Sequence, residues 1–324
     1  MNLLVTGGAG YVGGAVARRL RAAGHQITIL DDLSTGHRHV AAGFDLVECD
    51  LADRPAVGAA LRGGRIEAIV HFAALALVGA SVEAPEEYYD NNVARPLVLL
   101  DLARRAGVKR FVFSSSAAVY GEPERTPIEE DHPTRPTNPY GETKLAFERA
   151  LRWHAAAHRM AAVSLRYFNA AGATDDGGHG EEHDEETHLI PNVLAAARLG
   201  REVAIHGTDY PTPDGTAVRD YVHIEDLAEA HRLALEHPLD PGAAEVFNLG
   251  SGRGASVREV IETARRVTGR PIAVREGPRR PGDPARLVAS HDRAARVLGW
   301  RPRRGDLASI VASAWGFEQG RTRA

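Results

Sequence analysis

Along the first half of the chain, short unbroken apolar runs alternate with longer stretches in which apolar positions recur every three or four residues. Unbroken runs predict strands buried on both faces, and the stretches between them predict covering helices. Strands are expected at Leu3–Thr6, Gln26–Leu30, Asp45–Glu48, Ala68–Phe72, Arg110–Ser114 and Ala162–Arg166. One helix is expected over Gly10–Ala23, where Val12, Val16 and Leu20 share a face and Gly24 supplies the stop; Val93–Ala106 and Tyr140–Arg159 predict two more. The alternation describes a doubly wound parallel α/β sheet.

Past about Gly172 the pattern changes. Residues 173–188 hold seven acids and three histidines with almost nothing apolar, which predicts a solvated loop. Shorter elements follow between prolines and glycines, so residues 173–324 are expected to form a smaller α/β domain beside a first domain of residues 1–172. Tyr221–Leu235 reads as a helix and Val246–Leu249 as a strand, which would return the chain to the first sheet at about 221–249.

Composition narrows the function classes. The 324 residues are 44% apolar and 25% charged, unlike a coiled-coil, collagen-like or disordered chain. A net charge of −4, from 39 basic and 43 acidic residues, offers no field for nucleic acid. The longest apolar run, Ala68–Ala80, is too short for a bilayer and contains His71, so no membrane insertion is expected. Cys49 is the only cysteine, which excludes an internal disulfide and fits a reducing cytoplasm.

Candidate chemistry begins where Leu3–Thr6 runs into Gly7-Gly8-Ala9-Gly10-Tyr11-Val12-Gly13 and on into the first helix. Strand, glycine turn and helix start make a dinucleotide pyrophosphate site, because helix-end N–H groups donate to the anion and glycines admit close approach. Asp31 closes the second strand about 20 residues on, where a carboxylate can accept from ribose hydroxyls. With Asp32 beside it and no arginine directly following, Asp31 favours NAD over NADP. The expected sheet is therefore of Rossmann type. Further on, the strand Arg110–Ser114 ends in Ser114-Ser115-Ser116, and Asn138-Pro139 opens a helix carrying Tyr140 and Lys144 at i and i+4. An unperturbed tyrosine ionises near pH 10, roughly three units too high for a neutral-pH base. A nearby ammonium, the positive helix end and a cationic nicotinamide would each favour the phenolate. Tyr140 is thus a candidate base for a secondary alcohol, with Ser116 holding the same hydroxyl.

These segments, with His71-Phe72-Ala73-Ala74, Tyr88-Tyr89-Asp90-Asn91-Asn92, Arg166-Tyr167-Phe168-Asn169, Val218-Arg219-Asp220-Tyr221-Val222-His223 and Phe247-Asn248-Leu249-Gly250, resemble the extended short-chain dehydrogenase/reductase family, in particular its nucleotide-sugar epimerases. The resemblance spans almost the whole chain. It implies an NAD-dependent epimerase that interconverts UDP-glucose and UDP-galactose through a transient 4-keto sugar. It also implies a homodimer that pairs Val93–Ala106 and Tyr140–Arg159 with their symmetry mates. Tyr140, Lys144 and Ser116 would be catalytic. The implied cofactor residues are Gly7, Gly10, Tyr11, Val12, Gly13, Asp31 and Asp32, then Asp50 and Leu51 at the adenine, Phe72, Ala73 and Ala74 along the cofactor, and Asn91 near its phosphates or riboses. Ser114, Tyr140, Lys144 and Tyr167 complete that set. The implied UDP-sugar residues are Ser116, Tyr140, Asn169, His188, Leu189, Ala204, His206, Arg219, Arg280, Asp283 and Leu287, the last as a wall of the sugar pocket.

Two positions depart from the family pattern. Ala76 stands where a lysine often contacts the cofactor, and His188 where an asparagine often bonds the diphosphate. Three rival readings remain to be weighed. The histidines at 179, 183 and 188 suit a metal, but their irregular spacing among glycines predicts loop and no metal. A sugar-nucleotide dehydratase needs an acid pair where this chain has Ala117-Ala118. A non-catalytic NAD sensor would have no use for Tyr140 and Lys144.

Overall fold

In the computed structural model, which describes residues 1–280 and 283–321, seven parallel strands form the central sheet. Pro281 and Gly282, beside the expected Arg280 and Asp283 contacts, and residues 322–324 lie outside the described residues. The spatial order is Ala244–Leu249, Ala161–Tyr167, Arg110–Ser116, Ala68–His71, Asn2–Thr6, Gln26–Asp31 and Asp45–Glu48. Strand order reverses between Ala68–His71 and Asn2–Thr6, and their carboxyl ends open a crevice at Thr6 and His71. The strands' apolar runs are buried on both faces, as a sheet covered on both sides requires. One face packs on the helices Tyr11–Ala22 and Ile224–Glu236 through Val16, Leu20, Leu227 and Ala230. The other packs on Arg54–Gly63, Arg95–Ala106 and Pro139–His158 through Leu61, Leu99, Phe147 and Leu151.

Each expected strand is present within two residues of its expected ends. The helices differ more. Ahead of the expected Val93 start, the chain is already helical over Pro85–Tyr89 and makes one wide turn at Asp90–Ala94 before Arg95–Ala106. Tyr221–Leu235 is not one helix: Tyr221–His223 pairs in parallel with Asn169–Ala171, and the helix starts at Ile224. The aromatic and β-branched Tyr221-Val222 suit a pleated strand, and the His223 side chain then accepts from Glu225 N at 3.2 Å, capping the helix.

The second half is more regular than its prolines suggest. Helices Leu189–Leu199, Val257–Thr268 and Leu307–Arg321 share a third apolar cluster with Val203 and Ile205 of Glu202–His206, a strand paired in parallel with Ala273–Gly277. Pro191 sits in a first helical turn, where a missing N–H costs no intrahelical bond. The 173–188 segment is a loop, exposed at 175–178, 184, 185, 187 and 188, but it is tethered rather than free. His179 is buried, its Nε2 donates to Tyr11 O at 2.6 Å, and His37 Nε2 donates to Glu182 O at 2.6 Å. The segment lies across the start of the Tyr11–Ala22 helix.

Candidate active site

A cleft of 1330 Å³ runs over the carboxyl ends of the strands and on to the second half of the chain. Its first end is bare backbone. Gly7 stands at φ +69°, and a Cβ there would lie 2.5 Å from Ala73 N; on Gly13 it would lie 2.1 Å from the Gly7 carbonyl oxygen. No side chain fits either place, and none caps the Tyr11–Ala22 helix. A helix start left open behind a side-chain-free turn is a cradle for a dinucleotide pyrophosphate. Asp31 fixes the cradle: its two carboxylate oxygens accept from Ala9 N and Leu33 N, both at 2.9 Å, while burial pushes its pKa up. Asp32, Asp50, Leu51, Phe72, Ala73, Ala74, Asn91 and Tyr167 line the same end. Asn92 holds the segment after Ala74 through both the N–H and the C=O of Leu75, at 2.9 Å each. Ala76 therefore lines the cleft as a methyl, and no lysine is found among the described lining residues.

Midway, Asn138 accepts from Gly141 N at 2.9 Å and starts the helix that presents Tyr140 beside Ser116, at the end of the Arg110–Ser116 strand. Ser114 and Lys144 are buried and do not line the cleft. Lys144 Nζ donates to Ser114 O at 3.0 Å, and Ser114 Oγ shares a 2.7 Å hydrogen bond with the Tyr167 hydroxyl. Burial pulls Lys144 down to about 7, with Glu148 opposing. Burial also pushes the Tyr140 phenol up, against the pull of the Ser116 hydroxyl. Lys144 Nζ lies 5.8 Å from the centre of the Tyr140 ring. Desolvation disfavours the charged phenolate in the chain alone.

Beneath this group lies a polar network that explains two of the quoted motifs. Arg166 forks onto Glu148 at 2.9 and 2.6 Å and donates to the Tyr120 hydroxyl at 2.9 Å, which donates to Asn248 at 2.7 Å. Glu148 lies one turn after Lys144 and also accepts from Ser115. The network locks the Pro139–His158 helix to three neighbouring strands. Asp220 does similar work further along: fully buried, it accepts from the backbone N–H groups of Ser251, Gly252 and Ala289.

The far end of the cleft is made of side chains. Asn169, Leu189, Ala204, His206, Arg219, Arg280, Asp283 and Leu287 line it. Arg219 is paired with Asp283. Leu287 also packs on the cluster of Ala117, Val119, Tyr120 and Phe168, so it is both wall and partial core. Ala117 and Ala118 line the cleft beside Ser116 and offer no acid. His188, at the start of Leu189–Leu199, is bonded through Nδ1 to Glu181. Four potential metal ligands, Glu181, His183, Glu186 and His188, come within 4.8 Å of one another. Sequence reasoning missed His179, Gly36 and His37 as cleft residues; Gly36, whose Cβ would lie 3.0 Å from Asp31, was legible only as another glycine.

Residues 3–250 match the family model described as the NAD dependent epimerase/dehydratase family. A UDP-glucose 4-epimerase of Corynebacterium glutamicum is 54% identical over 319 residues, covering 98% of this chain and 95% of the relative. The solved UDP-glucose 4-epimerase from Brucella ovis in complex with NAD is 45% identical, with a TM-score of 0.93 and 97% of each chain covered. That from Bifidobacterium longum, in complex with NAD+ and UDP, is 37% identical with a TM-score of 0.94 and 99% of each chain covered. With a glycine cradle at the switch point, a tyrosine–serine pair at the end of the strand beside it, and these matches over nearly its whole length, the chain belongs to the NAD dependent epimerase/dehydratase family.

Proposed function

We propose that this chain interconverts UDP-glucose and UDP-galactose at C4′ while keeping one NAD bound. The observation that carries this reading is the placing of Tyr140 and Ser116 between a cradle fit for a dinucleotide and an arginine-bearing cleft end, with alanines at 117 and 118. NAD, when bound, supplies a hydride acceptor that later gives the hydride back. The Gly7–Gly13 loop and Asp31 would hold it, with Asp32, Asp50, Leu51, Phe72, Ala73, Ala74, Asn91 and Tyr167 alongside. Tyr140 takes the 4′-hydroxyl proton and returns it on reduction, and Ser116 holds the same oxygen. Lys144, backed by Ser114, sets the charge beneath Tyr140. Arg219 and Arg280 suit the diphosphate because each guanidinium can donate two parallel hydrogen bonds. Asn169, His188, Leu189, Ala204, His206 and Asp283 would border the nucleotide, and Leu287 the sugar. The 4-keto sugar would present its other face between Tyr140 and the far end of the cleft before the hydride returns.

Purified protein given UDP-galactose should form UDP-glucose with no added reductant. Stoichiometric reduction of added NAD during turnover would instead make the chain a dehydrogenase.

Residues 1–172, completed by 221–249, form the cofactor-binding domain in this reading, and the remainder binds the nucleotide sugar. A homodimer is supported by Trp153 on Pro139–His158, 70% exposed, and Leu97 on Arg95–Ala106, 43% exposed. Sedimentation at micromolar concentration tests it: a monomer would remove the four-helix interface. Cys49, unpaired, fits a cytoplasmic location.

A further inference from the structure

We propose that Glu181, His183, Glu186 and His188 form a four-coordinate site for a divalent cation of the zinc type, clasping the 173–188 segment over the cofactor end of the cleft. Each residue offers one ligand atom, and the four converge within 4.8 Å. His183 Nδ1 lies 3.4 Å from Glu181 Oε1 and 3.3 Å from Glu186 Oε2, and His188 Nδ1 lies 3.8 Å from Glu186 Oε1 and bonds Glu181. Zinc bonds of about 2.0–2.2 Å in a tetrahedron place ligand atoms about 3.3–3.6 Å apart. The cluster is therefore near the required shape, and a small outward shift of His188 from Glu181 completes it. Two imidazoles with two carboxylates also match zinc's borderline preference.

The charges of the cluster fit the same assignment. The Glu181 side chain is only 6% exposed, and among the described residues its ion-pair partners are His183 and His188 alone. Buried carboxylates must be paired or coordinate a metal, and a divalent ion would compensate them with both imidazoles neutral and bound as ligands. One divalent ion neutralises Glu181 and Glu186 together. All four ligands come from the protein, which is the pattern of a structural rather than a catalytic zinc site. The clasp lies on the same segment as the His179–Tyr11 and His37–Glu182 hydrogen bonds, so it would hold that segment against the start of the Tyr11–Ala22 helix. His188 uses only Nδ1 here and keeps Nε2 free to face the nucleotide it is proposed to border.

The test uses tag-free holoenzyme with its NAD, stripped with a chelator and dialysed against micromolar free Zn2+, with metal measured by mass spectrometry. One Zn2+ per chain is expected, and His183→Ala and Glu186→Gln should each bind at least about tenfold more weakly, the lower end of what is lost even when a residue that only hydrogen-bonds a zinc ligand is changed. Co2+ in place of Zn2+ should give the intense visible bands of four-coordinate cobalt in the unmodified protein and lose them in both variants. Far-UV circular dichroism and retained NAD absorbance establish that the variants are folded. Stoichiometry well below one, affinity unchanged in either folded variant, or the weak spectrum of six-coordinate cobalt would each overturn the assignment. None of these readouts depends on turnover.

Discussion

The two ends of the cleft are built from different materials. At the cofactor end, recognition rests on what is missing: Gly7 and Gly13 leave no room for a Cβ, and Asp31 pins the turn through backbone N–H groups. At the far end, the cleft is lined by long side chains held by others, Arg219 by Asp283 and Leu287 by the Ala117–Phe168 cluster. A backbone cradle is set by local sequence and tolerates almost no substitution. A side-chain wall is set by distant partners and can be retuned one residue at a time.

Tyr140 stands where the two ends meet, so its loss should be the largest effect and should spare both. Tyr140→Phe is expected to lower kcat by about 10²–10⁴ while NAD and UDP binding persist, because only the proton-carrying oxygen is removed. Near-normal turnover would move the base elsewhere. At the cofactor end, Gly13→Ala forces a methyl to within 2.1 Å of the Gly7 carbonyl. Released NAD after gel filtration and a stability loss of about 1–3 kcal/mol by denaturant titration are expected, the usual scale of overpacking. At the far end, Arg280→Ala should leave NAD bound and weaken UDP-sugar binding by about 1.5–3 kcal/mol, the range for hydrogen bonds to charged groups, seen as a raised KM. If Arg280→Ala released NAD and Gly13→Ala did not, the contrast between the two ends would be reversed.

Leu287→Gly should be gentler still. UDP-glucose and UDP-galactose are expected to be preferred over the N-acetylated pair by about 1–3 kcal/mol in kcat/KM, and the variant should narrow that gap. Equal specificity constants in the unmodified protein would place the wall elsewhere.

A further effect falls on the buried core rather than on either end. His71 is pulled down to about 3, and His179, His223 and His231 to about 4, chiefly by burial. Unfolding restores the ordinary value of 6.5. Below pH 6.5 the unfolded chain therefore takes up protons that the folded chain refuses, and stability falls as pH drops towards 4. His183 and His188, whose pKa values are raised, oppose this in part. With these four depressed imidazoles against two raised ones, thermal unfolding followed from pH 7 to 5 should show a decreasing midpoint, and a rising one would mean the depressed shifts do not dominate.

The same contrast explains what the sequence made legible. The glycine turn, Asp31 and the Asn138-Pro139 cap before Tyr140 could be read because each acts through neighbours within a few residues. The 173–188 segment could not, since its polar residues find their partners far away: His179 bonds Tyr11, 168 positions off, and His37 bonds Glu182. Tyr221–His223 was misread as helical because its pairing with Asn169–Ala171 is invisible to periodicity. Arg166, Asp220 and Asn248 stood in quoted motifs, yet their work as buried fasteners emerges only once Glu148, Ser251 and Tyr120 are seen beside them.

The sheet's last strand, Ala244–Leu249, enters only after the chain has visited the far end of the cleft, and the helix before it, Ile224–Glu236, covers Tyr11–Ala22. During synthesis, then, the first 172 residues emerge with an unpaired strand edge at Ala161–Tyr167 and an apolar helix face uncovered. Such a fragment exposes the surfaces that drive aggregation. The nascent chain stays vulnerable until about residue 249 has left the ribosome. Translation pauses ahead of that point should lower the yield of folded enzyme, whereas pauses after it should matter little.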